Sequence, residues 1–257
     1  MNRVRHAGWI LAIALTLACL AACSDEADAW ERIQASGVLR VGMDPSFPPF
    51  ESLEGETLQG IDVDLARRLA ADLGLKAEFV YIAYDGLYDA LLTKRVDVLI
   101  SALVVQPERT EDFSYTQPYF DAGQILVLPA ANAEVQSIED LGGRRLSVEL
   151  GAEGHVIANT WQNRLAGMDV LPLNSADEAL AAVDDGAADA AIVDSVSGRL
   201  YLQNAPALTW RRNMVSSELY AIVTRASDRE LLRRLDEALF EMKESGEMEA
   251  LLSRWLD

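Results

Sequence analysis

Apolar positions along this chain follow two periods that take turns. Trp30-Glu31-Arg32-Ile33 begins a small helix, and Leu39-Arg40-Val41 then reads as a first strand. Leu65, Ala66, Leu69, Ala70 and Leu73 share one face at helical spacing, and Gly74 ends that helix. Ala77 to Tyr81 reads as a strand, Leu87 to Leu92 as a helix, and Val96 to Ile100 as the continuous apolar run of a buried parallel strand. A second set starts at Gln124-Ile125-Leu126-Val127. Ser137-Ile138-Glu139-Asp140 is a helix-start signal, Leu146 to Leu150 a strand, and Gly151 precedes a helix through Trp161. Ser175-Ala176-Asp177-Glu178 has the form of a capping box before Leu180, Ala181 and Val183, and Ala190 to Asp194 is another buried strand. Glu218 to Thr224 predicts one strand. Ser227-Asp228-Arg229-Glu230 caps a long helix whose Leu231, Leu235, Ala238, Leu239 and Met242 form a core stripe. This alternation predicts α/β architecture with doubly wound sheets.

The beginning of the chain follows another logic. Arg3 and Arg5 precede an apolar run from Trp9 to Ala22, too short and one-sided for a membrane span, so residues 1–22 read as a secretion signal. It ends Leu20-Ala21-Ala22-Cys23, the form of a bacterial lipobox, which marks Cys23 for lipidation; an ordinary cleavage site beside a cysteine is the alternative. Several acyl chains would hold the protein on a membrane where one would be marginal. Residues 23–30 then form a lipidated, acidic tether. The expected location is exported, on the periplasmic or cell-surface side. The only other cysteine, Cys19, leaves with the signal, so the globular part has no disulfide and depends on an apolar core. A formal net charge of -19 repels phosphate backbones and argues against a nucleic-acid partner. The two histidines are His6, in the signal, and His155. No metal-ligand spacing occurs, and no cofactor is implied.

Four groups carry candidate chemistry at predicted strand ends, where open α/β sheets place their ligands. In Asp44-Pro45-Ser46-Phe47-Pro48-Pro49-Phe50 the prolines stiffen a turn that can preorganise an aromatic wall, with Tyr84 as the opposing ring. Phe50 is the ring most readily assigned to packing. Ser101-Ala102 follows the third strand, and Arg109 lies shortly after; a guanidinium matches a carboxylate with two parallel hydrogen bonds. Its alternative is an ion pair with Glu111 or Asp112. Gly151-Ala152-Glu153-Gly154-His155 opens a helix, where Glu153 either caps the dipole or enters the cleft. Asp194 ends a buried strand and either meets a cation or caps the helix from Ser195.

Three stretches, LRVGMDPSFPPFE from Leu39, GIDVDLARRLAADLGLKAEFV from Gly60 and VDVLISALVVQPERTEDFSYTQPY from Val96, resemble the bacterial extracellular solute-binding proteins of family 3, which serve polar amino acid ABC transporters. Gly246-Glu247-Met248 and Trp255 resemble that family's closing helix pair. The resemblance implies a two-lobed, type II periplasmic-binding-protein-like fold. It places a first lobe at 31–123 plus 217–257, a second at 124–216, and a two-crossing hinge near Ala122–Gln124 and Met214–Ser217. It also implies a monomer that captures an amino acid and delivers it to a permease. Phe47 would stack on the ligand, Asp44 would face its side chain, and the backbone near Ser101 and Ala102 would hold its charged ends. Arg109 would take the α-carboxylate and Asp194 the α-ammonium. Departures from the family pattern lie at Ala152 and Glu153, at Ala102 and Val104, where relatives carry hydroxyls, and at Gln106, where threonine is common. Asp44, Glu149 and Glu153 point toward a cationic side chain. Two other readings stay open: a secreted cyclohexadienyl or arogenate dehydratase, which needs a placed general acid or base, and the ligand-sensing subunit of a signalling receptor.

Overall fold

The computed structural model describes residues 29–257. The expected signal, Cys23 and the tether as far as residue 28 lie outside the described residues. Ala29 and Trp30, assigned above to the tether, are instead buried in the first helix, because their apolar side chains join the core beside Ile33.

The first part of the chain runs α1 (Ala29–Ser36), β1 (Val38–Met43), a small meander of β2 (Ser46–Phe47), β3 (Glu51–Glu54) and β4 (Thr57–Gln59), then α2 (Ile61–Asp72), β5 (Lys76–Tyr81), α3 (Leu87–Leu92), β6 (Val98–Leu99), β7 (Phe113–Tyr115) and β8 (Phe120–Asp121). The second part runs β9 (Gln124–Pro129), β10 (Arg145–Glu149), α4 (Glu153–Gln162), β11 (Asp169–Leu173), α5 (Ala176–Asp184), β12 (Ala190–Asp194), α6 (Ser195–Leu202) and β13 (Leu208–Trp210). The chain then returns through β14 (Leu219–Tyr220) and β15 (Val223–Arg225) to α7 (Arg229–Glu244) and α8 (Glu247–Leu256).

Two mixed five-stranded sheets result, in the orders β5-β1-β6-β15-β7 and β11-β10-β12-β9-β13. Three strands of each are parallel, and the remaining two are antiparallel to their neighbours. Side chains two apart on a strand share a face, and that period sorts the cores. Ile125 and Val127 of β9 pack with α5, whereas Leu126 and Leu128 pack on the other face with Leu146 and Val148. In the first sheet Leu39, Val41 and Met43 meet α2 and α7, while Leu99 meets Leu87 and Leu91 of α3. Each sheet is covered on both faces.

The strand expected over Glu218–Thr224 is divided, because its ends serve different sheets: β14 pairs with β8, and β15 enters the first sheet between β6 and β7. The expected cap of the long helix is also corrected. Asp228 makes no side-chain capping bond; its carboxylate pairs with buried Arg225 at 2.5 Å. At α5, Ser175 accepts from the Glu178 amide, but the Glu178 carboxylate reaches the Asn174 amide instead of Ser175's.

The two crossings between sheets lie side by side. Asp121 Oδ1 accepts from the amides of Gly123 and Glu218 at 2.9 and 2.8 Å, the Gln124 amide donates to Ser216 Oγ, and the Val215 amide donates to the Gln124 carbonyl. Gly123 is required here, since a Cβ would sit 2.1 Å from the Ser216 carbonyl oxygen.

Candidate functional site

The chemistry-bearing loops follow β1, β6, β10 and β12. After β1, the Asp44 amide donates to Ser101 Oγ at 3.0 Å, and Asp44 Oδ2 accepts from the Tyr84 amide at 2.8 Å. Three of the residues singled out from the sequence are therefore tied directly together. Phe47 stacks on Phe50 with centroids 5.6 Å apart and planes within 11°. Phe50 is fully buried and meets Phe120 and Tyr220 edge-on, so it is the floor, whereas Phe47 and Tyr84 are 49% and 53% exposed and free to meet a ligand face.

Ser101 and Ala102 are both buried, and Ala102 adopts φ +46, a left-handed conformation that a residue with a Cβ resists. Its amide donates to Asp62 Oδ2 at 2.7 Å, and Ser101 Oγ donates to Glu51 Oε1 at 2.6 Å. Arg109 ends the short 3₁₀ turn Pro107–Arg109 and is exposed. Its guanidinium lies over the Tyr88 ring, 4.4 Å from the centroid, and among the described residues it forms no ion pair with Glu111 or Asp112. Burial, first, and the nearby Tyr115 hydroxyl raise the Tyr88 phenol well above its ordinary range.

In the second half, Glu153 is the exposed first residue of α4, and His155 Nδ1 accepts from the Gly151 amide at 3.1 Å, a contact local to that turn. Asp194 caps α6: its Oδ1 accepts from the Ser197 amide at 2.8 Å. Glu149 is half-buried at the end of β10.

Two residues that the sequence did not single out join these halves. Glu218 is held above the ordinary carboxylate range, first by burial, then by the charges of Glu153, Asp121 and Asp194. Tyr220 is raised by burial and then by Glu218, Asp194, Asp62 and Tyr84. Asp194 and Glu153 from the second part of the chain and Tyr84 from the first thus lie within electrostatic reach of the segment Glu218–Tyr220 at the crossing. No hydrogen bond joins Arg109 to Asp194 or Glu153 among the described residues. The signal for Glu218 and Tyr220 was weak: both stand in an apolar run read as an ordinary strand. A separate groove of about 610 Å³, lined by Asp64, Arg67, Arg68, Glu247 and Arg254, contains none of these residues, and its arginines are paired with its own acids.

Two doubly wound sheets joined by paired crossings, with polar and aromatic groups at facing strand ends, define a two-lobed binding-protein fold. The chain belongs to the bacterial extracellular solute-binding proteins, family 3, whose profile matches residues 39–257. It is 27% identical over 229 residues to the L-cystine-binding protein TcyJ of Escherichia coli, covering 87% of this chain and 84% of that protein. It is 28% identical over 263 residues to the histidine-binding periplasmic protein of Salmonella typhimurium, covering 95% and 96%. The arginine-binding extracellular protein ArtP of Bacillus subtilis is 27% identical, with 84% and 85% covered. Among solved structures, an ancestral cationic amino acid solute-binding protein matches with TM-score 0.65 and 30% identity over 88% of this chain and 99% of that one. An ancestral cyclohexadienyl dehydratase matches at 0.77 and 26% over 91% and 98%. The unliganded, open L-cystine receptor of Neisseria gonorrhoeae matches at 0.77 and 25% over 88% and 95%.

Proposed function

We propose that this protein is the extracytoplasmic receptor of an ABC importer and captures an amino acid, preferably one with a cationic side chain, by closure of its lobes. The observation that carries this reading is the carboxylate group around the crossing. Burial first, then the charges of Glu153, Asp121 and Asp194, raise Glu218 above the ordinary carboxylate range, and no basic residue is among the groups acting on it. An ammonium or guanidinium entering there would replace mutual repulsion with attraction. Asp194 keeps one carboxylate oxygen beyond its capping bond, enough for an α-ammonium. Phe47 and Tyr84 supply ring faces for the side chain, with Asp44 between the loops that carry them. Arg109, held over the Tyr88 ring, is the guanidinium for the α-carboxylate. Relatives named for cystine, histidine and arginine support an amino acid as cargo.

The hinge is assigned to the paired crossings, with lobes at 31–123 plus 217–257 and at 124–216. Anchoring through Cys23 and delivery to a permease complete the proposal. A thermal-shift screen across the amino acids tests it. A cationic amino acid at about one hundred times its dissociation constant adds roughly 2.7 kcal/mol of stability, and no shift with any amino acid would defeat the reading. The ancestral dehydratase relative keeps one alternative in view; formation of an aromatic product from prephenate or arogenate would establish it.

A further inference from the structure

Glu51 and Asp62 are both buried and their carboxyls adjoin, each gripping one of the consecutive residues Ser101 and Ala102. Local structure forces them together. The first two amides of α2 donate to the Pro49 and Phe50 carbonyls, and Gly60, at φ +135, lets the chain pass where a Cβ would lie 2.0 Å from the Phe50 oxygen. Asp62 Oδ2 accepts from the Ala102 amide at 2.7 Å and from the Tyr119 hydroxyl at 3.0 Å, and Glu51 Oε1 accepts from Ser101 Oγ at 2.6 Å. The oxygens left over, Glu51 Oε2 and Asp62 Oδ1, have no donor. Two carboxylates offer only acceptors to each other, so a bond between them requires a proton on one.

We propose that Glu51 is a neutral acid at neutral pH, that it donates a hydrogen bond to Asp62, and that this acid–carboxylate pair positions the Ser101–Ala102 turn that follows β6. Each partner grips one residue of that turn: Glu51 holds the Ser101 hydroxyl, which in turn accepts from the Asp44 amide, and Asp62 holds the Ala102 amide in its left-handed conformation. The groups facing the pair are Asp44 on the loop after β1, Tyr119 before β8 and Tyr220 on β14; no cation is among those acting on either carboxyl. Burial first, and the Asp62 charge second, move Glu51 far above the ordinary carboxylate range. Asp62, which already accepts from the Ala102 amide and the Tyr119 hydroxyl, is the member that ionises. The fold therefore binds a proton that the unfolded chain releases at neutral pH, and the advantage of the neutral pair declines as pH rises.

The proton is tested without ligand. Infrared spectra of the full chain at neutral pH should show the carbonyl band of a protonated carboxylic acid, and E51Q should lack it. Absence of the band in wild type, or its persistence in E51Q, would overturn the proposal. The positioning role is tested by comparing E51Q, which keeps a donor and an acceptor, with E51M, which keeps only the volume. E51Q should leave exchange of the Ala102 amide at the wild-type rate and E51M should accelerate it; equal rates in both would reduce Glu51 to a space filler. The consequence for binding rests on the amino-acid reading of the site. With L-arginine as probe, E51Q should stay near wild-type affinity and E51M should weaken it by roughly tenfold. Equal weakening in both variants would overturn the positioning role. A wild-type protein indifferent to L-arginine would sink the arginine reading alone, since the infrared and exchange results stand or fall separately.

Discussion

At the scale of single residues, charge in this protein is arranged by burial and by partners, and each arrangement has a pH signature. Asp97, fully buried beside β6, accepts from Arg40 and Arg32 at 2.7 Å each. Burial alone would raise its carboxyl, but the two guanidiniums outweigh that and hold it below the ordinary value. Its stabilisation is complete above about pH 4 and is lost as pH falls through the lowered value. Asp97→Asn should destabilise the fold by roughly 1.5–3 kcal/mol at neutral pH, and denaturant melts should show the gap narrowing on acidification. Glu218 is shifted the other way. Protonation on mild acidification removes one of the charges awaiting a cation, so calorimetry should show L-arginine affinity falling as pH drops below neutral, and less steeply in Glu218→Gln. Arg109→Ala should cost about 2–5 kcal/mol of binding by leaving the ligand carboxylate unpaired, roughly 30-fold or more in affinity. Unchanged affinity would remove Arg109 from the site.

At the scale of elements, the crossing is tied by hydrogen bonds among both segments and the start of α6. β8 and β14 pair with each other, Asp121 collects amides from both segments, and Ser195 at the start of α6 donates its amide to Gly123 and its hydroxyl to Asp121. Arg199, one turn further along α6, is nearly buried and makes two hydrogen bonds, 2.9 and 2.6 Å, to the Asp257 carboxylate beyond α8. α6 thus belongs to the second core through Tyr201 and Leu202, yet Val196 touches the first. Gly123→Ala should cost about 3 kcal/mol, the upper range for overpacking, because the obstacle is backbone and cannot rotate away; urea unfolding measures it. A near-neutral result would mean that the two crossings can separate without consequence.

At the scale of the whole molecule, two lobes each with its own double-faced core are joined by short, tightly bonded segments, the arrangement that permits hinge closure. Among the described residues no hydrogen bond or ion pair joins Arg109, which lies over Tyr88, to Asp194, which caps α6. If a zwitterion bridges them, small-angle scattering should show the radius of gyration decreasing when L-arginine is added, with the decrease absent in Arg109→Ala. Full closure in that variant would show that the bridge is unnecessary.

The amino-acid sequence by itself determined the element order, because periodicity and caps are local: Leu87–Leu92, Ala190–Asp194 and the stripe from Leu231 to Met242 stand where their spacing puts them. It also brought forward Asp44, Tyr84 and Ser101, which stand in separate loops and meet only in the fold. Tertiary structure decided the rest. The division of Glu218–Thr224 into two strands depends on which distant partners offer free amides and carbonyls, and no local pattern encodes that. Asp228's exchange of a capping role for a buried arginine, Phe50's place beneath Phe47, and the meeting of Glu51 with Asp62 all follow from burial. How far a carboxyl is removed from water, and which oxygen then faces which hydrogen, is known only once the whole chain has closed around it.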